Sequence, residues 1–427
     1  MTAHDRFLTL DALDSILLDV ATQIEPSPAD GRIADNRYRK LQEHLERPSS
    51  VLAIYLKNGS GLIYAQGSMA TSTTILSGID DDRFDVDAIV ELDVPKQWSE
   101  HDTLDKLETS LQGFPGAVKI VRCTRCIQIQ FPFMHMDVTI MDRSRRLPIS
   151  RAGEIIHAPD IGHGARIPSN PWGFTAWFRG SMSVDQQTFA DELRKRRGVQ
   201  SKSRLRALDE REEMLAKAEQ VDLPPMIPSR LDAQEAVALK LLKRYVYRRY
   251  EKLTLKQPPS IYLAKRAASI GYVPQGLAAQ LILLSESTAE IMRGHIASGT
   301  RPEETNPSYH LDKINDRWPA VGAEAVHDMR SFAECLEHLS TKLRRLARAP
   351  LNEIVEVMSE LFGERVSTEV RSILKNRFDT RAGTSANLVQ AATGNVAAPA
   401  IVRVSNDVRP VPKHNFHSLI IESEDDN

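Results

Sequence analysis

The segment Phe84-Asp85-Val86-Asp87 sets two carboxylates two residues apart at the head of the apolar run AIVEL. In a strand, residues two apart share a face. Asp85 and Asp87 therefore stand side by side, while the run that follows anchors the strand. Two like charges that close repel each other unless a cation lies between them. Magnesium suits the place, because it takes hard oxygen ligands and leaves room for phosphates. A third carboxylate, Asp137, sits inside the apolar, strand-like MHMDVTIM and completes a two-ion site. Upstream, Gln66-Gly67-Ser68 opens the segment QGSMATSTTI. Glycine lets backbone N–H groups approach a phosphate, and a helix that starts there favours an anion. The chemistry these residues predict is in-line nucleotidyl transfer from a nucleoside triphosphate, with Mg2+ or Mn2+ required. One ion lowers the pKa of the attacking hydroxyl and the other steadies the leaving pyrophosphate. Asp85, Asp87 and Asp137 are the expected metal ligands and catalytic residues, with Asp137 on the side of the attacking group as its proton acceptor. Gln66, Gly67 and Ser68 are the expected contacts to the nucleotide.

A DxD at a strand end is weak by itself, since many such pairs are solvated charges. Asp80, Asp81 and Asp82 are read that way, as an acidic loop. Asp85 and Asp87 differ because the apolar run continues directly from them. Gly-Ser, then DxD, then a strand aspartate form a more specific constellation than any one part.

The elements that must hold this site are legible in outline. Leu10, Leu13, Leu17 and Val20 keep helical spacing, as do Tyr38, Leu41 and Leu45, which predicts helices over 8–24 and 33–47. From Val51 to about Ile140 short apolar runs alternate with Gly, Asp and Pro. Strands are predicted over 84–92, 118–123 and 126–141, the last being two strands or one bulged strand around Pro132. After Ser183 long helical patterns run to about Phe378, the clearest near 231–252, where Val237, Leu241 and Tyr245 form one stripe. From Asp379 the chain is small and polar with little periodicity, and it is read as a flexible tail ending in ESEDDN.

Composition narrows the function classes. The chain has 427 residues, 41% apolar and 26% charged, with a net charge of −2, so no overall basic field draws it to nucleic acid. No run of about 18 apolar residues predicts a membrane span. The N-terminal segment carries acids among its apolar residues, which fits an amphipathic helix and not a signal peptide. The cysteines are Cys123, Cys126 and Cys335, too few for a disulfide framework, and a reducing cytoplasm fits. Cys123 and Cys126 form a CxxC within a strand-like segment. Half-buried strand cysteines are the expected reading, with a metal or redox pair as the rival, since a zinc site needs four ligands. The basic run LRKRRGVQSKSRLR at 193–206 could meet a nucleic-acid activator, but DEREE follows closely and few aromatics interleave. A solvated face is the expected reading.

Taken together, QGSMATSTTI, FDVDAIVEL and HMDVTIM resemble the bacterial cGAS/DncV-like nucleotidyltransferases (CD-NTases), which make cyclic oligonucleotide second messengers in CBASS anti-phage defence. SNPWGFTAWF at 169–178 resembles the segment after their third aspartate strand. LPP at 223–225, LLKRY at 241–245 and PPSIYLAKRAA at 258–268 resemble their helical half, and RWP at 317–319 and LFGE at 361–364 fit its end. The likeness spans about residues 50–365. It implies an α+β fold: a DNA polymerase β-like core with N-terminal helices over 1–200, a helical domain closing the nucleotide cleft over 201–378, and a tail over 379–427. It also implies ATP, with GTP or another NTP, as substrate, and a cyclic di- or trinucleotide as product. In that family a lysine of the LKR helix and a serine soon after it contact the donor triphosphate, which maps onto Lys243 and Ser260. From the residues alone, Lys243 equally fits a solvated charge, Lys240 is its alternative, and Ser260 equally fits an N-cap. Tyr245, Tyr247, Tyr262 and Trp172 stay open as the aromatic that stacks on a base. The family implies a regulatory or conjugating protein at the C-terminal tail, where VPKHNFHSLII reads either as a docking peptide or as a nonspecific end. Two rivals remain: an enzyme adding a single nucleotide to a protein, small molecule or RNA end, and a catalytically silent nucleotide-sensing scaffold.

Overall fold

The computed structural model describes residues 3–368 apart from 58–60, 78–82, 146, 183–185, 199–230, 254, 347, 348 and 350, together with 371, 372, 389, 390, 395 and 396. Three helices come first: α1 (Ala3–Ile24), α2 (Pro28–Glu46) and α3 (Ala53–Lys57). Then follow β1 (Leu62–Gln66), the single turn α4 (Gly67–Ala70), β2 (Phe84–Leu92) and α5 (Glu100–Leu111). Strands β3 (Lys119–Arg122), β4 (Ile127–Gln130), β5 (Met134–Asp142), β6 (Gly153–His157) and β7 (Ala165–Ser169) complete one seven-stranded sheet. Its order is β1-β2-β5-β4-β3, with β6 bridging β5 to β7. β2 and β5 are parallel, and the other pairings of this sheet are antiparallel. A parallel pair needs a crossover, and α5 supplies it. Its start is fixed by a capping box in which Ser99 and Asp102 satisfy each other's backbone N–H.

Burial along β2 and β5 explains how the sheet makes a site. In both strands the second half is buried at every position, while the first half alternates. The open positions are Asp85 and Asp87 on β2 and His135 and Asp137 on β5. The polar ends of two adjacent strands thus face outward together, and their apolar ends hold them in place.

The remainder is helical: α6 (Pro171–Gly180), α7 (187–198), α8 (Gln234–Tyr250), α9 (Ser260–Ile270) and α10 (Leu277–Ser298). After a short hairpin of β8 (Thr305–Asn306) and β9 (Tyr309–Lys313) come α11 (Ala323–Leu346) and α12 (Leu351–Phe362). One core lies under the sheet, where Tyr38 and Leu41 of α2 and Leu104 and Leu107 of α5 meet Val86, Met136 and Val138. The other lies among α8, α10 and α11, around Leu241, Leu281, Phe332 and Leu336.

These two cores do not divide at residue 200. Leu13, Leu17 and Val20 of α1 belong to the helical core, as do Phe174 and Phe178 of α6. The apolar stripe of α1 was legible, but its partners, α8 and α10, lie far along the sequence. The 126–141 segment is two strands, with Pro132 in the turn between them. The hairpin at 305–313 interrupts what periodicity predicts as unbroken helix. The acidic loop 80–82 and the tail from 379 lie outside the described residues, the tail apart from 389, 390, 395 and 396.

Candidate active site

Asp87 stands directly opposite Asp137 in the β2–β5 ladder, and Asp85 opposite His135. On its other side Asp87 faces Gln66, the last residue of β1. The chain then turns at Gly67 into α4, immediately over the Asp87 carboxylate. Gly67 has φ +60, and a methyl group placed on it would overlap the Asp87 side chain. Glycine is thus needed here for both its backbone region and its size. The strand is fixed from beneath by the buried Tyr38, whose hydroxyl donates to the Asp87 carbonyl. Gln128 Nε2 donates to Asp137 Oδ1 at 3.0 Å and sets that carboxylate's orientation.

The electrostatics follow from crowding. Burial, then Asp137 and Asp85, push the Asp87 carboxyl up to about 7, with Lys243 partly offsetting them. Burial also raises Asp85 and Asp137. Asp85 is 62% exposed, so water reaches it, yet the cleft walls take away much of its hydration. A cluster of three carboxylates that resists ionising is what a divalent cation would relieve, so the donor set fits one. Among the described residues, no three His, Cys, Asp or Glu side chains converge to hold an ion unaided. The triad is open toward the cleft, which suits an ion that completes its shell with phosphate and water oxygens.

Across the cleft, Lys243 of α8 is buried and its Nζ donates to Thr73 O at 2.9 Å. Burial pulls its pKa down to about 8, against the opposing pull of Asp87 and Asp85. Lys240, the alternative, is held in a buried ion pair with Glu25 at 2.7 Å. Ser260 is the first residue of α9, and the N-cap is Pro259, so the capping reading of Ser260 does not hold. Its side chain instead bonds to Tyr247. Gln66, Gly67, Ser68, Asp85, Asp87, Asp137, Lys243 and Ser260 all line one cleft of ≈ 390 Å³, within the range of about 300–1,000 Å³ usual for small-molecule sites.

The aromatic candidates separate. Tyr245 donates to Cys335 O inside the helical core, and Tyr262 is packed against Trp318. Trp172 lies edge-on to Tyr64 beneath Arg151. Tyr247 is the one of the four that lines the cleft. Reading the sequence missed Thr73, Arg83, Ser169, Phe174 and Asp312, which line it too. SNPWGF contains two of these, and its Asn-Pro helix start was the available signal.

Two other sequence features lie close by. Cys123 and Cys126 meet at the β3–β4 turn, and burial raises both thiols, which disfavours the thiolate a metal or redox pair needs. In the described part of the basic run, Arg196 pairs with Asp19 and Glu192, and Arg197 with Glu25 and Asp232. These contacts spend the charges on α1 and the residue after it, on α7 itself and on the segment just before α8. Residues 199–206 lie outside the described residues.

Lys243→Ala is expected to raise the KM for NTP about 10- to 100-fold, with a smaller loss in kcat, because a charge-assisted contact of about 1.5–3 kcal/mol acts on ground and transition states together. Below about pH 8 the lysine is charged, and above it the charge is lost. The wild-type KM should therefore climb as pH passes 8, and that climb should vanish in the variant. Steady-state kinetics from pH 6.5 to 9.5 check both. Equal KM profiles would show that Lys243 does not meet the triphosphate.

A sheet that brings three aspartates together beneath a Gly-Ser turn, with a lysine helix opposite, is the arrangement of a nucleotidyltransferase, and the chain is similar in sequence and fold to enzymes of the cGAS/DncV-like class. It is 29% identical over 416 residues to the cyclic dinucleotide synthase CdnG of Bradyrhizobium diazoefficiens, covering 94% of this chain and 93% of that one. The solved structure of the Bradyrhizobium diazoefficiens CD-NTase CdnG in complex with GTP matches with a TM-score of 0.69 and 27% identity, over 85% of this chain and 99% of that one. The Escherichia coli MS115-1 CdnC:HORMA-deltaN complex matches with a TM-score of 0.51 at 14% identity, over 81% and 95%, a likeness of fold alone. No protein-family profile matches the chain. No helix among the described residues is long and apolar enough to cross a membrane.

Proposed function

We propose that this protein condenses nucleoside triphosphates into a cyclic oligonucleotide, a di- or trinucleotide second messenger of anti-phage signalling, at the Asp85–Asp87–Asp137 cleft. The observation that carries the reading is the register that sets Asp87 beside Asp137 and beneath Gly67, with Lys243 opposite. The likeness to a cyclic dinucleotide synthase along nearly the whole chain supports it. Asp85, Asp87 and Asp137 would hold Mg2+ or Mn2+, which supplies activation of the attacking hydroxyl and charge neutralisation at the leaving pyrophosphate. The backbone at Gly67 and Ser68 receives the donor phosphates, with the Gln66 side chain beside them. The Lys243 ammonium and the Ser260 hydroxyl hold the same phosphates from the helical side. Asp137, oriented by Gln128, accepts the proton of the attacking hydroxyl. Tyr247 offers a ring to the base. The linear product must then turn within the same cleft, so that its own hydroxyl attacks its remaining triphosphate.

Nuclease-treated enzyme incubated with ATP, GTP, CTP and UTP plus Mg2+ or Mn2+ is expected to release pyrophosphate and give a phosphatase-resistant product containing adenine, identified by mass spectrometry. A linear, phosphatase-sensitive product would favour the enzyme that adds a single nucleotide. No pyrophosphate would favour the silent scaffold. Strict dependence on added duplex would assign an activator site to residues 193–206. The tail from 379 is assigned to a regulatory or conjugating protein. Removing residues 385–427 should leave synthesis within about twofold of the full chain, since that stretch lacks a periodic apolar face to bury, and the same product assay measures it.

A further inference from the structure

We propose that Asp312 is a base-reading residue that selects guanine through its Watson–Crick edge, an assignment that rests on the reading of the cleft as a nucleotide site. Asp312 lies on β9 and lines the same cleft as the three aspartates, yet it is only 8% exposed. Burial holds its carboxyl above the usual range, and the like charge of Asp316 adds to that. A buried carboxylate is costly unless donors cover it.

The donors present fix it in place without using it up. Asn170 N and Asn306 Nδ2 both donate to Oδ2, at 2.8 and 2.9 Å. Asn306 Nδ2 also reaches Asn170 O at 2.8 Å, which ties the hairpin to the start of α6. The packing there is tight, since a methyl on Gly173 would strike Ser308 and Asn170. The carboxylate is therefore held in a rigid frame. Ser169 also bonds to the carboxylate, the third of the roughly four bonds that a carboxylate accepts. One acceptor position and the Ser169 oxygen remain, and both residues line the cleft. Phe174, Ile261 and Ala264 line that cleft and supply apolar surface for the faces of a base.

The chemistry of the four bases decides which one fits. Guanine presents two adjacent N–H donors, N1–H and the 2-amino group, which a carboxylate and its hydroxyl neighbour can accept together. Adenine and cytosine each present a ring-nitrogen acceptor beside their amino group, and that lone pair would face the carboxylate. Uracil presents one N–H between two carbonyls. A site built from acceptors rejects bases that bring acceptors, because its own groups are left unpaired.

The test compares GTP with inosine triphosphate, which differs only in lacking the 2-amino group. Equilibrium binding of each to the full-length protein with Mg2+ needs no turnover. Wild type should bind GTP about 10- to 100-fold more tightly than ITP. Asp312→Asn keeps an oxygen for Asn170 and Asn306 and should retain its melting temperature, while the GTP-to-ITP ratio falls toward one. Equal wild-type affinities for GTP and ITP would overturn the proposal, as would an Asp312→Asn protein that binds both more weakly at an unchanged ratio. The reading of the cleft is judged separately by pyrophosphate release from wild type: its absence, with base selectivity intact, would sink the reaction and leave Asp312 standing.

Discussion

Asp87→Asn, and equally Asp85→Asn, is expected to lower nucleotide turnover by about a thousandfold or more while the protein stays folded. Each change keeps the volume and removes one carboxylate charge from the proposed metal site. Two-ion transfer draws several kcal/mol from charge stabilisation, and each 1.4 kcal/mol or so is a factor of ten. The stability effect has the opposite sign. Burial and the neighbouring carboxylates of Asp137 and Asp85 push the folded Asp87 carboxyl up to about 7, from an ordinary value of 3.8. Between those values the folded protein binds more protons than the unfolded chain, so stability without metal falls as pH rises from about 4 to about 7, then levels off. Asp87→Asn removes that fall. In EDTA the variant should melt at or above the wild type at pH 8, and the advantage should shrink at pH 5. Mg2+ should raise the wild-type melting temperature and do less for the variant. Asp80→Asn and Asp82→Asn should be mild. Turnover within tenfold of wild type in Asp87→Asn would sink the metal assignment, and an essential Asp80 beside a dispensable Asp85 would put the register wrong.

How much of this was legible varied with the distance over which each feature is decided. Asp85, Asp87 and Asp137 could be found because their signal is local: a polar residue in an apolar strand declares itself within a few positions. Gly67 was legible as a turn. Its contact with Asp87 was not, because that depends on β1 pairing with β2 in one register. The choice between Lys240 and Lys243 was closed to sequence. Both sit on one well-marked helix, and Glu25, which takes Lys240 out of the cleft, is 215 residues away. Tyr245 and Tyr247 carry the same side chain two positions apart, and helix rotation alone sends one to Cys335 and the other to the cleft. The β8–β9 hairpin was missed for a different reason. Its strands are too short for periodicity to show, although Asn306-Pro307-Ser308 is a turn signal. Asp312 went unseen with it, as one charged residue in a polar stretch.

Gly67→Ala is expected to cut turnover at least a hundredfold and also to destabilise the fold, and the two losses share one cause. The residue sits at φ +60, where a side chain costs about 1–2 kcal/mol. The added methyl would also occupy the space of the Asp87 carboxylate. Relief needs either the carboxylate or the loop to move, and the loop is pinned. Both the backbone N–H and the hydroxyl of Thr71 bond to Gly67 O, at 3.2 and 3.0 Å, and Lys243 holds Thr73 O. Asp87 is no freer, because its strand pairs on both sides. Whichever yields, the Asp87 carboxylate and the Gly67 turn lose their relative position, and a misplacement of about 1 Å in a catalytic site can cost about a hundredfold. Melting temperature should fall by several degrees, alongside the drop in kcat. Gly31→Ala is the control, since a methyl there meets nothing within 4 Å and the site is remote. Ser68→Ala separates loop position from side-chain chemistry: its hydroxyl pairs with Thr74 at 3.1 Å, so its loss should change KM more than stability. A Gly67→Ala enzyme with normal turnover and melting temperature would mean that the turn does not lie over Asp87, and the phosphate site would have to be sought elsewhere in the cleft.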